Sequence, residues 1–366
     1  MKIRLVYDHQ IFSGLEYGGV SRYFYELAVR LARSENFEVT VLSPLYVNRY
    51  LRPDRSLRVV GVRIPGIPRT GRIVRSIDAG LVRLLLRRQK PDIVHETFFA
   101  AKKLAPPGAR TVLTVFDMVH EKFAHLFSPR DKTARVKRAA LERVDHIICI
   151  SENTRQDLTE MLALEPSRVS VVHLGYTIGE ARAGESRPVP EPYLAFVGLR
   201  GGYKNFAGLL RAYAASSLLM SSFRIVCFGG GPWAKPELRL IEELGIPGEK
   251  LVRMDGDDDQ LAGIYRHAEA FVYPSLYEGF GMPLLEAMAC GCPVICSRAG
   301  AFPEVCGDAA AYFDPGDSES IRSVLERTLM SRESLSSLAA RGRERIARFS
   351  WDKCAVETAA VYEAIL

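Results

Sequence analysis

The residues best placed to do chemistry lie in YPSLYEGFGMPLLEAMACG, Tyr273 to Gly291. A strand-like run ends there, a glycine-rich bend follows, and an apolar helical pattern begins. Two carboxylates bracket the bend: Glu278 lies within it, and Glu286 follows after seven intervening residues. Strand, turn and helix N-terminus form a general anion-binding device. Free backbone N–H groups and the positive end of the helix dipole face whatever lies outside the strand's carboxyl end. Gly279 and Gly281 let the backbone approach a ligand closely or take positive φ, and Pro283 stands where a missing N–H costs nothing. Such a site suits a phosphate or diphosphate. Glu286, within the first turn or so, can accept two hydrogen bonds from a diol. Glu278, before the turn, falls near the sugar or phosphate end of the same ligand. Alternatively, both glutamates simply favour the helix N-terminus and face water. A glycosidase pair would need two acids flanking one bond from opposite sides, which one turn and helix present poorly.

A second constellation is FVGLRGGYKNFAGLL, Phe196 to Leu210, again strand, glycines and helix. Arg200 and Lys204 sit in its connecting loop, where two cations can neutralise a diphosphate or merely flank the loop as surface charges. A third glycine turn, EYGGVSRYF, carries Gly18 and Gly19 after the first strand. None of the three is GxxxxGK[ST], and no GxGxxG follows a strand, which disfavours kinase-type and nicotinamide chemistry. CFGGGPW, Cys227 to Trp233, is a lone glycine run that can be a tight turn. Asp257, Asp258 and Asp259 follow a strand and read as a helix cap, not a metal motif. Cys290, Cys292 and Cys296 lack paired CxxC spacing and have no nearby histidine, so no metal site is expected.

The elements that position these loops alternate along a chain of 366 residues, long enough for two domains. Hydrophobic content of 48% and charged content of 25% are those of a soluble globular protein. KIRLVY, FEVTVLSP, PDIVHET, RTVLTVFD, DHIICIS and RVSVVHLG read as strands, with helical patterns between them. Ser151 caps the helix in SENTRQDLTEML. The run Ile178 to Pro192 is rich in Gly, Pro and charge, without periodicity. The alternation then restarts with YLAFVGL, RIVCFGG, LVRMDG, EAFVYPS, PVICS and AAYFDP as strands. The expected fold is α/β, with two doubly wound Rossmann-like domains facing a central cleft: residues 1–180, a linker at 181–192, and residues 193–350. The N-terminus reads as a first strand and not a signal peptide, and no apolar stretch approaches the ~20 residues that span a bilayer. Seven cysteines, an odd number and several in apolar runs, fit buried reduced thiols in the cytoplasm.

The segments YPSLYEGFGMPLLEAMACGCPVICSRAGAFPEVCGDAA, FVGLRGGYKNF, SENTRQDL, GGVSRYFYEL and FSWDKCAVETAAVY resemble family 4 of the retaining, nucleotide-sugar-dependent glycosyltransferases. These segments are spread over nearly the whole chain. That resemblance implies the GT-B fold, with residues 1–180 on the acceptor side and residues 351–366 a helix crossing back to that domain. It implies that Glu286 holds the donor ribose, Glu278 the donor sugar hydroxyls, and Arg200 and Lys204 the diphosphate. Backbone amides from Phe280 through Gly281, Met282 and Pro283 to Leu284 would meet sugar and phosphate. Gly18 and Gly19 would approach the diphosphate from the acceptor domain. The cations, not a bound metal, would stabilise the leaving nucleoside diphosphate. No cofactor is implied; the donor substrate is a UDP-, GDP- or ADP-sugar. One departure is Phe116 in TVFDMVHE, where many relatives carry histidine; Asp117 or His120 would then contact the donor sugar or acceptor hydroxyl. A nucleotide-sugar epimerase and a non-catalytic nucleotide-sugar binding protein of the same architecture are the rival readings. The first needs an acid/base pair that the sequence does not display, and intact Lys204 and Glu278 argue against the second.

The net charge of +6 is unevenly spread: Arg49 to Lys90 holds twelve Arg and Lys against two Asp. RTGRIVRSIDAGLVRLLLRRQK reads as a helix with Ile73, Ile77, Leu81 and Leu84 towards one face. It either packs on the sheet with its cations in water, or meets anionic lipid while the enzyme works on a glycan or lipid-linked acceptor. The second choice places the protein on the inner face of the cytoplasmic membrane. Nucleic acid is disfavoured, because the run has no interleaved aromatics and no recognised motif.

Overall fold

The structure, a computed structural model, describes residues 2–14, 16–52, 56–66, 71–178 and 187–366, and for residues 71–76 the backbone only. The chain divides into two compact units, Met1–Gly175 with Trp351–Leu366, and Tyr176–Ser350. The first half of the expected linker, 181–186, lies outside the described residues. Of its end, Arg187 donates to the Glu269 carboxylate and Val189 is buried.

In the first unit the strands are β1 (Ile3–Tyr7), β2 (Phe37–Tyr46), β3 (Arg58–Arg63), β4 (Ile93–Glu96), β5 (Arg110–Val115), β6 (His146–Cys149) and β7 (Val169–Val171). They form a parallel sheet in the order β3-β2-β1-β4-β5-β6-β7. β4, β6 and all of β5 after Arg110 are buried, as expected of parallel strands covered on both faces. β3 has no counterpart in the sequence reading. Its residues RVVGVR are half or fully exposed at the sheet edge, so the apolar signal is broken by arginines. Gly61 is needed there, because a Cβ would lie 1.7 Å from the Ser43 carbonyl oxygen, beside a register shift between Leu42 and Leu45.

The C-terminal helix Trp351–Ala364 packs within this first unit, burying Trp351, Cys354, Ala355, Thr358 and Tyr362. Tyr362 enters a polar network in the core. Its hydroxyl lies 3.2 Å from that of Tyr7 and 2.5 Å from His95 Nδ1, and His95 Nε2 lies 2.9 Å from Thr114 Oγ1. Burial pulls the His95 pKa down to about 3, so the ring is a neutral bridge between three elements. The helix Gly71–Gln89 turns Asp78, Val82 and Leu86 inward, and Asp78 accepts from Ser13 Oγ at 2.6 Å and Leu45 N at 2.9 Å. The Ile77, Leu81 and Leu84 stripe is therefore on the outer face, not the packed one.

In the second unit the strands are β8 (Tyr193–Val197), β9 (Arg224–Phe228), β10 (Leu251–Met254), β11 (Ala270–Tyr273), β12 (Val294–Ser297) and β13 (Ala310–Phe313). Their order is β10-β9-β8-β11-β12-β13, all parallel. The helix Phe206–Ala214 buries Phe206, Leu209, Leu210 and Tyr213, a helical stripe, against this sheet. Asp257 caps the helix Asp258–His267: its carboxylate accepts from Gln260 N, and Gln260 Oε1 accepts from Asp257 N, each at 3.0 Å. Among the described residues no three His, Cys, Asp or Glu side chains are grouped to hold a metal ion. All seven cysteines are free, and burial raises the thiol pKa of Cys290, Cys292 and Cys296. The helix Arg332–Arg345, polar over most of its surface, also went unread in the sequence.

Candidate functional site

Strand order in the second sheet reverses between β8 and β11, the two strands that run side by side there. Open α/β sheets bind ligands outside the strand ends at such a reversal. The loop after β8 carries Lys204 and the loop after β11 carries Glu278. A backbone bond from Leu276 N to the Tyr203 carbonyl, 2.7 Å, staples one loop to the other. Lys204 Nζ then donates to Glu278 Oε1 at 2.6 Å, and Ser275 Oγ donates to the same oxygen at 2.8 Å. Both partners are largely shielded, with side chains 15% and 13% exposed, so their attraction is little screened by water. The ammonium also lies 3.4 Å from the Tyr273 hydroxyl and over the Tyr203 ring. Burial first, and the Glu278 charge second, hold the Tyr273 phenol well above its ordinary pKa, so it stays protonated.

Local backbone chemistry fixes both members of the pair. Asn205 takes the left-handed conformation, φ 54°, between the turn Gly202–Lys204 and the next helix, and its amide donates to the Pro315 carbonyl at 2.8 Å. On the other side, the Glu278 carbonyl accepts from Ala301 N at 3.1 Å. Gly300, at φ 54°, lies against the Glu278 backbone: a Cβ there would be 2.6 Å from the Glu278 carbonyl oxygen and 2.8 Å from its nitrogen.

The helix expected after the bend is Met282–Ala289, with Gly281 at φ 100° as its cap and Pro283 in its first turn. Glu286 is its fifth residue, at the start of the second turn and somewhat deeper than the sequence reading had it, and it is buried. Its field adds to the burial that raises the Tyr265 phenol. Phe280 and Leu284 are core side chains, Phe280 meeting Phe349 edge-on at 5.7 Å. Only their backbones can serve a ligand, and two of the expected amides are lost: Pro283 has none, and Leu284 N already donates to the Gly281 carbonyl at 2.9 Å.

The two cations expected to share a diphosphate have unlike surroundings. Arg200 is 5% exposed, and its guanidinium is spent on the glycine run after β9. It donates to the carbonyls of Gly229, Gly231 and Pro232 at 2.9–3.0 Å and to Glu237 at 2.8 Å, and it stacks on Trp233. Its surroundings are those of a loop organiser; Lys204 alone has an ammonium at the Glu278 bend.

In the first unit, Gly18 caps the helix Gly19–Ala32 and its carbonyl accepts from Arg22 N and Ser21 Oγ. Phe116 meets Tyr23 edge-on at 5.3 Å, an apolar packing role. Asp117 accepts from Val119 N at 3.0 Å, and its carbonyl accepts from Lys137 Nζ. His120 stacks on Phe127 at 4.1 Å, with Nε2 3.8 Å from Asp131.

Residues 17–179 match the profile described as Glycosyltransferase Family 4, and residues 177–345 match Glycosyl transferases group 1. The chain belongs to glycosyltransferase family 4. This glycosyltransferase is 28% identical over 295 residues to the O-antigen chain mannosyltransferase B of Escherichia coli, with 76% of each chain covered. It is 34% identical over 234 residues to the MMP alpha-(1->4)-mannosyltransferase of Mycolicibacterium hassiacum, covering 62% of this chain and 56% of that one. Sucrose-phosphate synthase of Thermosynechococcus elongatus superposes with a TM-score of 0.79 at 19% identity, over 100% of this chain and 99% of the other. The fold is GT-B, and the matches favour a transferase over an epimerase or a binding protein.

Sequence reasoning about the glycosyltransferase missed Ser275, Tyr273 and Gly300 as parts of the Glu278 setting. Ser275 was legible in principle, three residues before Glu278 in PSLYE. Gly300 was not, because only the folded chain brings it onto the Glu278 backbone.

Proposed function

We propose that this glycosyltransferase moves a mannosyl residue from a nucleoside diphosphate sugar to a glycan or lipid-linked acceptor in envelope polysaccharide synthesis, with retention and without a metal ion. The observation that carries the reading is the Lys204–Glu278 contact at the sheet's reversal. Lys204 presents its remaining N–H bonds to the leaving diphosphate as the anomeric C–O bond breaks, offsetting charge that grows on the phosphate. Lys204 and Ser275 both donate to Oε1 of Glu278, and the carboxylate's other oxygen accepts from sugar hydroxyls in this reading. The acceptor oxygen bonds to the anomeric carbon on the face the phosphate leaves, and the departing phosphate oxygen takes its proton. Glu286 binds the ribose, amides from Gly279 to Met282 meet the phosphates, and Arg200 serves them by shaping the 229–232 loop. The sugar is taken from the two mannosyltransferase relatives. With EDTA present, GDP-, UDP- and ADP-mannose should be compared for nucleoside diphosphate release and for an α-linked product. Undiminished release from one donor is expected; a β-linked product, or a complete loss restored by manganese, would refute the mechanism.

We infer further that the outer face of Gly71–Gln89 rests on an anionic membrane surface. Ile77, Leu81 and Leu84 are 48%, 44% and 49% exposed and lie on one stripe, with exposed Arg83, Arg87 and Arg88 around it. Each arginine near an anionic surface contributes on the order of 1 kcal/mol, and the apolar stripe adds to it, enough for reversible attachment. Among the described residues no helix is long and apolar enough to cross a membrane. The protein should float with phosphatidylglycerol vesicles and not with phosphatidylcholine alone, and Ile77→Ser/Leu81→Ser/Leu84→Ser should stay in the soluble fraction. Equal flotation of the triple variant would exclude this surface.

A further inference from the structure

A cavity of about 810 Å³ opens on the second unit along β13, with neither Lys204 nor Glu278 in its lining. β13 is the last strand of its sheet and pairs only with β12, so one edge of it is an unpaired row of N–H and C=O groups. The helix Arg332–Arg345 supplies part of the opposite wall, with Ser334 and Ser337 on the lining.

Three guanidiniums line this concavity: Arg298, Arg327 and Arg341. Among the described residues none of them forms an ion pair with a carboxylate within 4 Å, although Asp308 and Glu333 also line it. Arg298 lies over the Tyr312 ring, its guanidinium carbon 4.7 Å from the centroid, a contact that consumes none of its N–H donors. Arg341 Nε is buried with no acceptor in reach, a rare condition for a polar hydrogen in a folded chain. Like charges gathered without partners around a concave wall raise the local positive potential, and guanidinium forks match phosphate oxygens two at a time. The cavity is several times larger than one phosphate and falls in the size range of small-molecule sites. Around the cations stand groups suited to hydroxyls: two carboxylates to accept and two serines to donate or accept.

We propose that this cavity is a second ligand site, which binds a sugar phosphate with its phosphate on the arginines and its hydroxyls on Asp308, Glu333 and the serines. The proposal stands apart from the transferase reading, since the cavity lining includes neither Lys204 nor Glu278.

Calorimetric titration of the full chain at low salt with mannose 6-phosphate, inorganic phosphate and mannose tests it. Mannose 6-phosphate should bind at least tenfold more tightly than inorganic phosphate, and mannose should give no heat. Arg298→Gln and Arg327→Gln, both exposed positions that fold without the charge, should each weaken binding at least fivefold. Lys204→Ala serves as the control for capture at the Glu278 bend and should leave the affinity unchanged. Absence of heat with the wild type, equal affinity for inorganic phosphate, or loss in Lys204→Ala with both arginine variants unaffected would each overturn the assignment.

Discussion

Lys204→Ala should lower kcat by a factor of about 10² to 10³, the scale seen when one preorganised donor to a developing anion is removed, and leave donor KM within a few-fold. The split follows from when the ammonium matters. In the ground state the diphosphate is already charged and is met by backbone amides as well, so the loss of one cation weakens binding modestly. Charge grows on the leaving phosphate as the anomeric bond breaks, and there the missing ammonium counts most. The substitution also strips Glu278 of its 2.6 Å partner and leaves its carboxylate without a cation, with Ser275 and the Tyr273 phenol beside it. Glu278→Gln in the Lys204→Ala background should therefore cost much less than Glu278→Gln in the wild type, because the two side chains act as a unit. Lys204→Arg should rescue only partly, since a planar fork cannot occupy the place of a compact ammonium between Tyr273 and Glu278. Glu286→Ala should show the opposite split, with donor KM raised and kcat little changed, as befits a group that grips the ribose equally throughout. Steady-state kinetics on the purified variants decide it. A Lys204→Ala enzyme with more than half the wild-type kcat would remove Lys204 from the chemistry.

Particular residues show which parts of this site could be read in advance. The strand–bend–helix around Glu278 was legible because β11 and the helix Met282–Ala289 are contiguous apolar runs, with glycines between them that mark the turn. The meeting of Lys204 with Glu278 was not derivable from spacing. The two residues are 74 apart, and only the strand order, β8 beside β11, brings their loops together. The surroundings of Arg200 were hidden for the same reason. As a letter it is a cation in a glycine loop, but its acceptors are carbonyls about 30 residues on, and burial against Trp233 decides its task. In the helix Gly71–Gln89 the sequence displays the Ile77, Leu81 and Leu84 stripe, but the buried face is that of Asp78, Val82 and Leu86. Sequence periodicity cannot say which faces the sheet when Asp78, a charged residue, belongs to the buried one. Its carboxylate is admitted there because Ser13 and the Leu45 amide satisfy it.

Gly300→Ala should lower kcat/KM by at least tenfold and destabilise the protein by about 2–4 kcal/mol, through two separable costs. The first is conformational: at φ 54° an L-residue gives up roughly 1–2 kcal/mol relative to glycine. The second is steric and is directed at the site. The added Cβ would stand 2.6 Å from the Glu278 carbonyl oxygen and 2.8 Å from the Glu278 nitrogen, backbone atoms that cannot rotate aside. Relief requires the 298–301 turn and Glu278 to part, which stretches the bond from Ala301 N and moves the carboxylate relative to Lys204. A displacement near 1 Å at a reacting centre can cost about 10²-fold in rate. Gly245→Ala separates the two costs, because Gly245 has a similar φ of 61° with no atom within 4 Å of an added Cβ. It should show the conformational loss of stability alone, with kcat/KM unchanged. Thermal unfolding and kinetics of the two variants side by side are the measurement. If Gly300→Ala matched Gly245→Ala in both, the turn would be exonerated as the support of Glu278, and the placement of that carboxylate would rest on Ser275 and Lys204 alone.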